Sequence, residues 1–300
     1  MLGSCTKKEK VISASSPKSL EPFSIIIETD PIGNPLVAIA REKHYFEEEG
    51  INPTFIVLSA GGIEALSLGK ADVYLLTIIP PLSYAAQGAD IKVIGGTASG
   101  GNYVITKPEN IGKYAALEDW RGVRLGTVRL STSEMVSRYA LGPLGVDLGS
   151  DVSFVEIDTY PNIIEAVRKG QVDIGFISAS YRQSALDLGL QILFPMTSMY
   201  PNYVCCRETA NGKSLAAKRE LFVKFHQAQI RAYKDFKEKQ EESITILAKL
   251  SSQEPEYVRN VIFNVDTNGH RVFNPDPLSN LPAGTPVSGL RLWRHTKATG

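Results

Sequence analysis

Apolar residues along this chain cluster in short runs separated by amphipathic stretches. Residues 23–27, 55–58, 73–76, 123–128, 154–157 and 174–177 read as strands. Between the first two, Leu36, Ile39, Ala40 and Phe46 recur at helical spacing, and the stretch stops in Glu47, Glu48, Glu49 and Gly50. Asn34 is placed to cap that helix, with Pro35 in its first turn. Ser131 and Glu134 have the spacing of a capping box ahead of a second helix. Residues 215–250 read as one long helix, with Leu221, Phe225, Ala228, Ala232 and Phe236 on one face.

The pattern repeats. Residues 63–73 align without a gap with residues 164–174, an offset of 101, and five positions are identical: Ile63 with Ile164, Glu64 with Glu165, Ala65 with Ala166, Gly69 with Gly170 and Asp72 with Asp173. Each copy predicts a short helix ended by glycine, then an aspartate and an apolar strand that stops at Thr77 or Ser178. Extended upstream, each half reads β-loop-α-β-loop-α-β. Apolar strands between helices imply a largely parallel sheet flanked by helices. The expected fold class is therefore α/β in two lobes. Lobe 1 takes residues 21–102 and 204–275, and lobe 2 takes residues 103–203. The Gly/Ser-rich stretch 95–101 between two strands is the expected hinge, with a second crossing over residues 200–207. The long helix is expected to pack back onto lobe 1.

Composition narrows the function. The 300 residues carry 32 Lys+Arg against 32 Asp+Glu, so no broad basic field is present to hold nucleic acid. No apolar run approaches the ~18 residues of a membrane-spanning helix. Three cysteines form neither a disulfide framework nor a zinc-ligand spacing. Leu2-Gly3-Ser4-Cys5 resembles a bacterial lipobox and precedes a polar, Lys- and Ser-rich stretch. Residues 1–20 are thus expected to be a tether lipidated at Cys5. Cys205 and Cys206 lie in an apolar strand and read as buried, inert thiols. His44 and His226 fall on helices away from strand ends. Neither a Ser-His-Asp arrangement, a helix-opening GxGxxG nor a phosphate-loop lysine motif is present. No enzyme activity, metal or cofactor is expected.

Ligands of open parallel sheets bind beyond the carboxyl ends of the strands. That rule selects the loops at residues 29–34, 59–62, 129–133, 158–160 and 178–181, together with Thr77. Ser131, Thr132 and Ser133 at a helix start form a candidate anion site, and Arg129 beside them offers a bidentate clamp or a surface ion pair. Asp30 either closes a turn or meets a ligand amine. Gly61 either turns the chain or lets a ligand approach the backbone. Tyr160 and Tyr181 wall the gap or pack in its rim.

Residues 49–57, Glu-Gly-Ile-Asn-Pro-Thr-Phe-Ile-Val, are followed by Ser-Ala-Gly-Gly and later by the strand Gly69-Lys70-Ala71-Asp72-Val73. Together they resemble the substrate-binding proteins of ABC transporters of the nitrate/sulfonate/taurine type, a group that includes binders of pyrimidine thiamine precursors. Residues 35–43 match the first-helix pattern of that group, and Trp120-Arg121-Gly122-Val123-Arg124-Leu125-Gly126 with Ser131-Thr132-Ser133 matches its second-lobe opening. The resemblance spans about residues 22–265. It implies a type II periplasmic-binding-protein-like fold whose hinged lobes close on a small solute. It also implies an extracytoplasmic, lipid-anchored monomer that serves a permease and an ATPase. Ligand contacts would fall on Asp30, Gly61, Thr77, Arg129, Ser131, Thr132, Tyr160 and Ser178. A sulfonate- or nitrate-like anion is the expected ligand, with a pyrimidine precursor, or a ligand-sensing role, as the alternative. Eukaryotic relatives that synthesise the pyrimidine use a cysteine cluster and a histidine; only Cys205 and Cys206 stand here. Residues 276–300 depart from the pattern and are expected to be an irregular tail.

Overall fold

The structure is a computed structural model that describes residues 19–58, 62–201, 203–265 and 271–276. Cys5, Gly61, nearly all of the tether and all but Asp276 of the tail lie outside them. The first part of the chain forms β1 (Glu21–Glu28), α1 (Pro35–Glu42), α2 (Tyr45–Glu48), β2 (Ile51–Leu58), α3 (Ile63–Ser67), β3 (Val73–Tyr74), α4 (Ile79–Ala86) and β4 (Ile91–Gly100). It then crosses into β5 (Asn102–Thr106), β6 (Val123–Thr127), α5 (Thr132–Leu141), β7 (Val152–Glu156), α6 (Tyr160–Arg168), β8 (Ile174–Ser178), α7 (Arg182–Asp187) and β9 (Gln191–Pro195). It returns through β10 (Val204–Asn211), α8 (Gly212–Ala217), α9 (Arg219–Glu238), α10 (Gln240–Ser251), α11 (Pro255–Phe263) and β11 (Phe273–Asn274).

Two sheets result, with strand orders β11-β4-β10-β3-β1-β2 and β7-β6-β8-β5-β9. In each, the three repeat-derived strands are parallel, and an antiparallel strand, β10 or β5, lies beside the third. The sheets are therefore mixed rather than largely parallel. The strands that cross between the sheets run against the βαβ units they join.

The repeat survives into the hydrogen bonds. Gly69 and Gly170 both adopt φ of +71°, a conformation that favours glycine. Each ends its helix with the same pair of bonds: Gly69 N to Leu66 O and Lys70 N to Ala65 O, then Gly170 N to Val167 O and Gln171 N to Ala166 O. Asp72 accepts the Ser24 amide on β1 at 2.9 Å, and Asp173 accepts the Arg124 amide on β6 at 2.9 Å. The repeated aspartate therefore clasps the first strand of its own lobe.

Lobe 1 is closed by the C-terminal helices. Residues 215–250 are not one helix. Lys218 and Lys239 leave helical geometry, with φ/ψ of −118°/29° and −125°/58°, and divide the stretch into α8, α9 and α10. A straight helix over those residues would run about 54 Å, far past the ~30 Å width of a small domain. Lys43 pins the corner by bonding Asp235 on α9 and Glu242 on α10. Burial works against ionisation of Asp235, but hydrogen bonds from Lys43, Tyr45 and Lys239 hold its carboxyl down at about 2. Beneath them Phe23 packs on Phe222 and Phe225, at centroid distances of 4.9 and 5.4 Å.

Two predicted caps differ in detail. Asn34 stands at the cap position of α1, but its side chain accepts from Glu28 N at 3.0 Å and donates to Leu75 O at 2.9 Å, stitching β1 to the end of β3. Ser131 does cap α5 through Glu134 N, while Glu134 returns its bond to Leu130 N. The predicted hinge is also shorter than its glycine run. Residues 95–100 belong to β4, and only Gly100 and Gly101 turn the chain, at φ of +67° and +91°. A Cβ at Gly100 would lie 2.2 Å from Val272 O.

Loss of either clasp leaves a strand amide without its acceptor, at a cost of about 1–3 kcal/mol. Asp72→Ala and Asp173→Ala should each lower the urea midpoint by that order. His226 bonds Glu208 at 2.6 Å under β10. Burial opposes its charge, yet Glu208 raises its pKa above the ordinary value. That contribution is fully present below the unfolded histidine pKa and is lost as pH rises through the higher folded value. His226→Gln should therefore cost more stability near pH 5.5 than near pH 9 in thermal unfolding.

Candidate functional site

The carboxyl ends of β1, β3, β6 and β8 open on one gap between the lobes. From lobe 1, Thr77 follows β3 and bridges to Cys206 of β10. From lobe 2, Thr132 begins α5. Their hydroxyls meet at 2.7 Å. Cys205 O receives a donor from each side, the Ile78 amide at 3.1 Å and the Thr132 hydroxyl at 3.1 Å. This junction joins the two sheets through short polar contacts, beside a buried apolar cluster that draws on both.

Glu28 ends β1 in the same gap. Burial, with the charge of Asp30 behind it, pushes its carboxyl up to about 7. Cys206 Sγ lies 4.0 Å from Glu28 Oε1, and Cys205 Sγ lies 4.0 Å from Asn102 Oδ1, which also accepts the Tyr203 hydroxyl at 2.8 Å. The Tyr160 and Tyr181 rings stand 5.4 Å apart between centroids. Both hydroxyls resist ionisation because of burial; Glu28 adds to this at Tyr160, and Asp30 and then Glu28 at Tyr181. The gap thus combines a carboxyl of near-neutral pKa, small hydroxyls, two thiols and aromatic rings.

Among the residues selected from sequence, Thr77 and Thr132 come together directly. Tyr160 is set by α6, whose cap Thr159 accepts from Asn162 N at 3.4 Å. Asp30 closes a turn by accepting the Ile32 amide at 2.9 Å, and its charge still reaches Glu28, Tyr181 and Tyr257. Ser178 is 3.2 Å from the Ser180 hydroxyl. Ser131 is buried and committed to Thr127, Ser133 and the Glu134 amide. Arg129 is turned to solvent, its side chain 74% exposed and 3.8 Å from Glu156. The reason is local: Leu130 takes φ of +55°, so the chain swings between Arg129 and the buried Ser131.

Glu28, Asn102 and the two thiols were not selected from sequence. Glu28 immediately precedes the chosen loop 29–34, so counting the last residue of each strand would have found it. Nothing in the sequence marks Cys205 as facing the gap.

With the geometry in place, comparison with known proteins decides the family. The model of the NMT1/THI5-like family matches residues 35–243. The chain belongs to the NMT1/THI5-like family. Within this family setting, a Brucella abortus protein assigned provisionally as a binding protein is 24% identical over 152 residues, covering 51% of this chain and 46% of that protein. The chain thus spans about half the length of the curated relatives it matches. The periplasmic aliphatic sulphonate binding protein SsuA of Escherichia coli superposes with a TM-score of 0.70 at 19% identity, over 93% of this chain and 94% of that one. The desulfurization enzyme DSZB superposes at 0.62 with 14% identity, over 93% and 91%. At these identities the likeness shows the two-lobed periplasmic-binding-protein-like fold alone. Among the described residues no helix is long and apolar enough to cross a membrane, and no group of three His, Cys, Asp or Glu side chains is placed to hold a metal.

Glu28 has a testable signature. Its folded pKa of about 7 stands above the ordinary carboxylate value, so the cost of ionising it is absent below about pH 4.5 and grows as pH rises through about 7. Glu28→Gln should raise the melting temperature of the ligand-free protein near pH 8.5, by on the order of 2 kcal/mol in stability. It should do little near pH 4.5. Calorimetric scans at both pH values measure the difference.

Proposed function

We propose that this chain is the solute-capturing component of an ABC-type importer. In this reading it works outside the cytoplasm as a monomer, tethered through a lipid on Cys5. It closes residues 21–102 with 204–275 against residues 103–203 around a small molecule, and a permease with its ATPase reads the closed form. The observation that carries the proposal is the contact of Thr77 with Thr132 at 2.7 Å, which joins the ligand-binding ends of the two lobes. A solute that bridges those ends stabilises the closed state by its differential affinity for it. The chain itself performs no turnover in this reading. His226 is engaged by Glu208, and His44 is exposed beside Glu47, so neither supports a catalytic base in the gap.

The charge of the gap favours a planar solute with hydrogen-bond donors. Glu28 would accept from a ring amine or amidine, and Tyr160 and Tyr181 would pack on its faces. A pyrimidine of the thiamine-precursor kind has that chemistry. A second reading, a sulfonate- or nitrate-like anion, is favoured by the hydroxyls of Thr77, Thr132 and Ser178, by the start of α5 and by the likeness to SsuA.

Titration calorimetry and thermal shift with aminopyrimidines and alkanesulfonates separate these readings. A solute at 100 times its Kd adds about 2.7 kcal/mol of stability. A donor-bearing heterocycle should bind more tightly as pH rises through about 7, where Glu28 ionises, and Glu28→Gln should abolish that rise. A sulfonate should bind more tightly as pH falls through the same range. Solution scattering that shows no compaction with a saturating ligand of either class would sink solute capture by closure.

A further inference from the structure

Adjacent residues of a regular strand point to opposite faces of the sheet. Cys205 and Cys206 do not: their sulfurs lie 3.4 Å apart. The pairing of β10 with β4 explains why. Val204 pairs with Ser99 and Cys206 with Ala98, so two steps along β10 meet one along β4, and Cys205 is the extra residue of a bulge. Bulges re-aim side chains, often beside functional sites. Here one turns the Cys205 side chain to the Cys206 side, on the floor of the interlobe gap. Both thiols are free, Cys205 half-buried and Cys206 buried. Each is placed to donate to an oxygen 4.0 Å away, Asn102 Oδ1 for Cys205 and Glu28 Oε1 for Cys206.

We propose that Cys205 and Cys206 are a reversible thiol–disulfide site, oxidised by exchange with a small-molecule disulfide of the glutathione class that enters the gap between the lobes. The order of events follows from access. The Cys205 thiolate attacks one sulfur of the incoming disulfide; a mixed disulfide forms on Cys205, and the first thiolate leaves and takes a proton from water. Cys206 then gives its proton to the Glu28 carboxylate, and its sulfur attacks Cys205 Sγ. The Cys205–Cys206 bond forms as the mixed bond breaks, and the second thiolate leaves. Two protein thiols lose two electrons, and one disulfide is reduced to two thiols. Cys205 is the more exposed of the two and so makes the first attack; its hydrogen bond to Cys206, then burial and Glu28, push the Cys206 thiol well above its ordinary pKa. Cα atoms of adjacent residues stand ~3.8 Å apart, below the 4.4–6.8 Å usual for structural disulfides, so the bond belongs to the readily reduced kind.

The test uses the full chain with oxidised glutathione, alkylation of remaining thiols and mass analysis of the peptide that holds both residues. The expected result is the loss of two hydrogens from that peptide, no alkylation, and full reversal by dithiothreitol. Cys206→Ser should trap glutathione on Cys205. Two alkyl groups on the peptide after saturating oxidant, or a glutathione adduct on Cys205 that persists in the unsubstituted chain, would overturn the proposal. So would a Cys205–Cys5 bond. None of these outcomes depends on finding the solute, so solute capture and the thiol site can fail separately.

Discussion

Because Gly100 and Gly101 carry the chain from β4 into β5 at φ of +67° and +91°, the two sheets are bound to face one another. The backbone of residue 272 fills the space a side chain at Gly100 would need, and the Phe273 ring crowds Gly101. That constraint makes a short, sharp crossing of a glycine-rich stretch that is otherwise strand. β5 enters the smaller sheet against the direction of its βαβ unit, as β10 enters the larger one. With the crossing strands antiparallel, the carboxyl ends of β1, β3, β6 and β8 all open toward the same gap.

Within each lobe the same local device holds the frame. A glycine-ended helix returns the chain at a fixed angle, and the aspartate three residues later fixes the first strand by its amide. Asp72 and Asp173 look like candidate ligand carboxylates in a list of acidic residues; their bonds to Ser24 and Arg124 make them structural instead. The acidic group that reaches the gap is Glu28. Its environment, a buried strand end near Asp30, raises its pKa to the neutral range and lets it offer a proton or a negative charge according to pH.

Much of the candidate site was legible as position and little of it as direction. The rule that ligands meet strand ends led to Thr77, Thr132 and Tyr160 without knowledge of any contact. It failed at Arg129, where one left-handed residue, Leu130, turns the side chain to solvent. Glu28 lies outside those loops because it is the last residue of β1 itself. Strand alternation gives no sign of the bulge that leaves Cys205 half-buried beside the buried Cys206. The single long helix failed for a similar reason: the corner at Lys239 is fixed by bonds from Lys43 and Lys239 to Asp235 on one helix and Glu242 on the next, which no local period announces.

The sequence by itself determined the duplicated β-loop-α-β frame, because hydrophobic period, glycine stops and the offset aspartates act over a few residues. Only the tertiary structure decided which way the crossing strands run, which side chains face the gap and where the long helical stretch breaks. Those outcomes depend on strand register, on left-handed turns and on contacts between residues that are remote along the chain, and no local pattern encodes them.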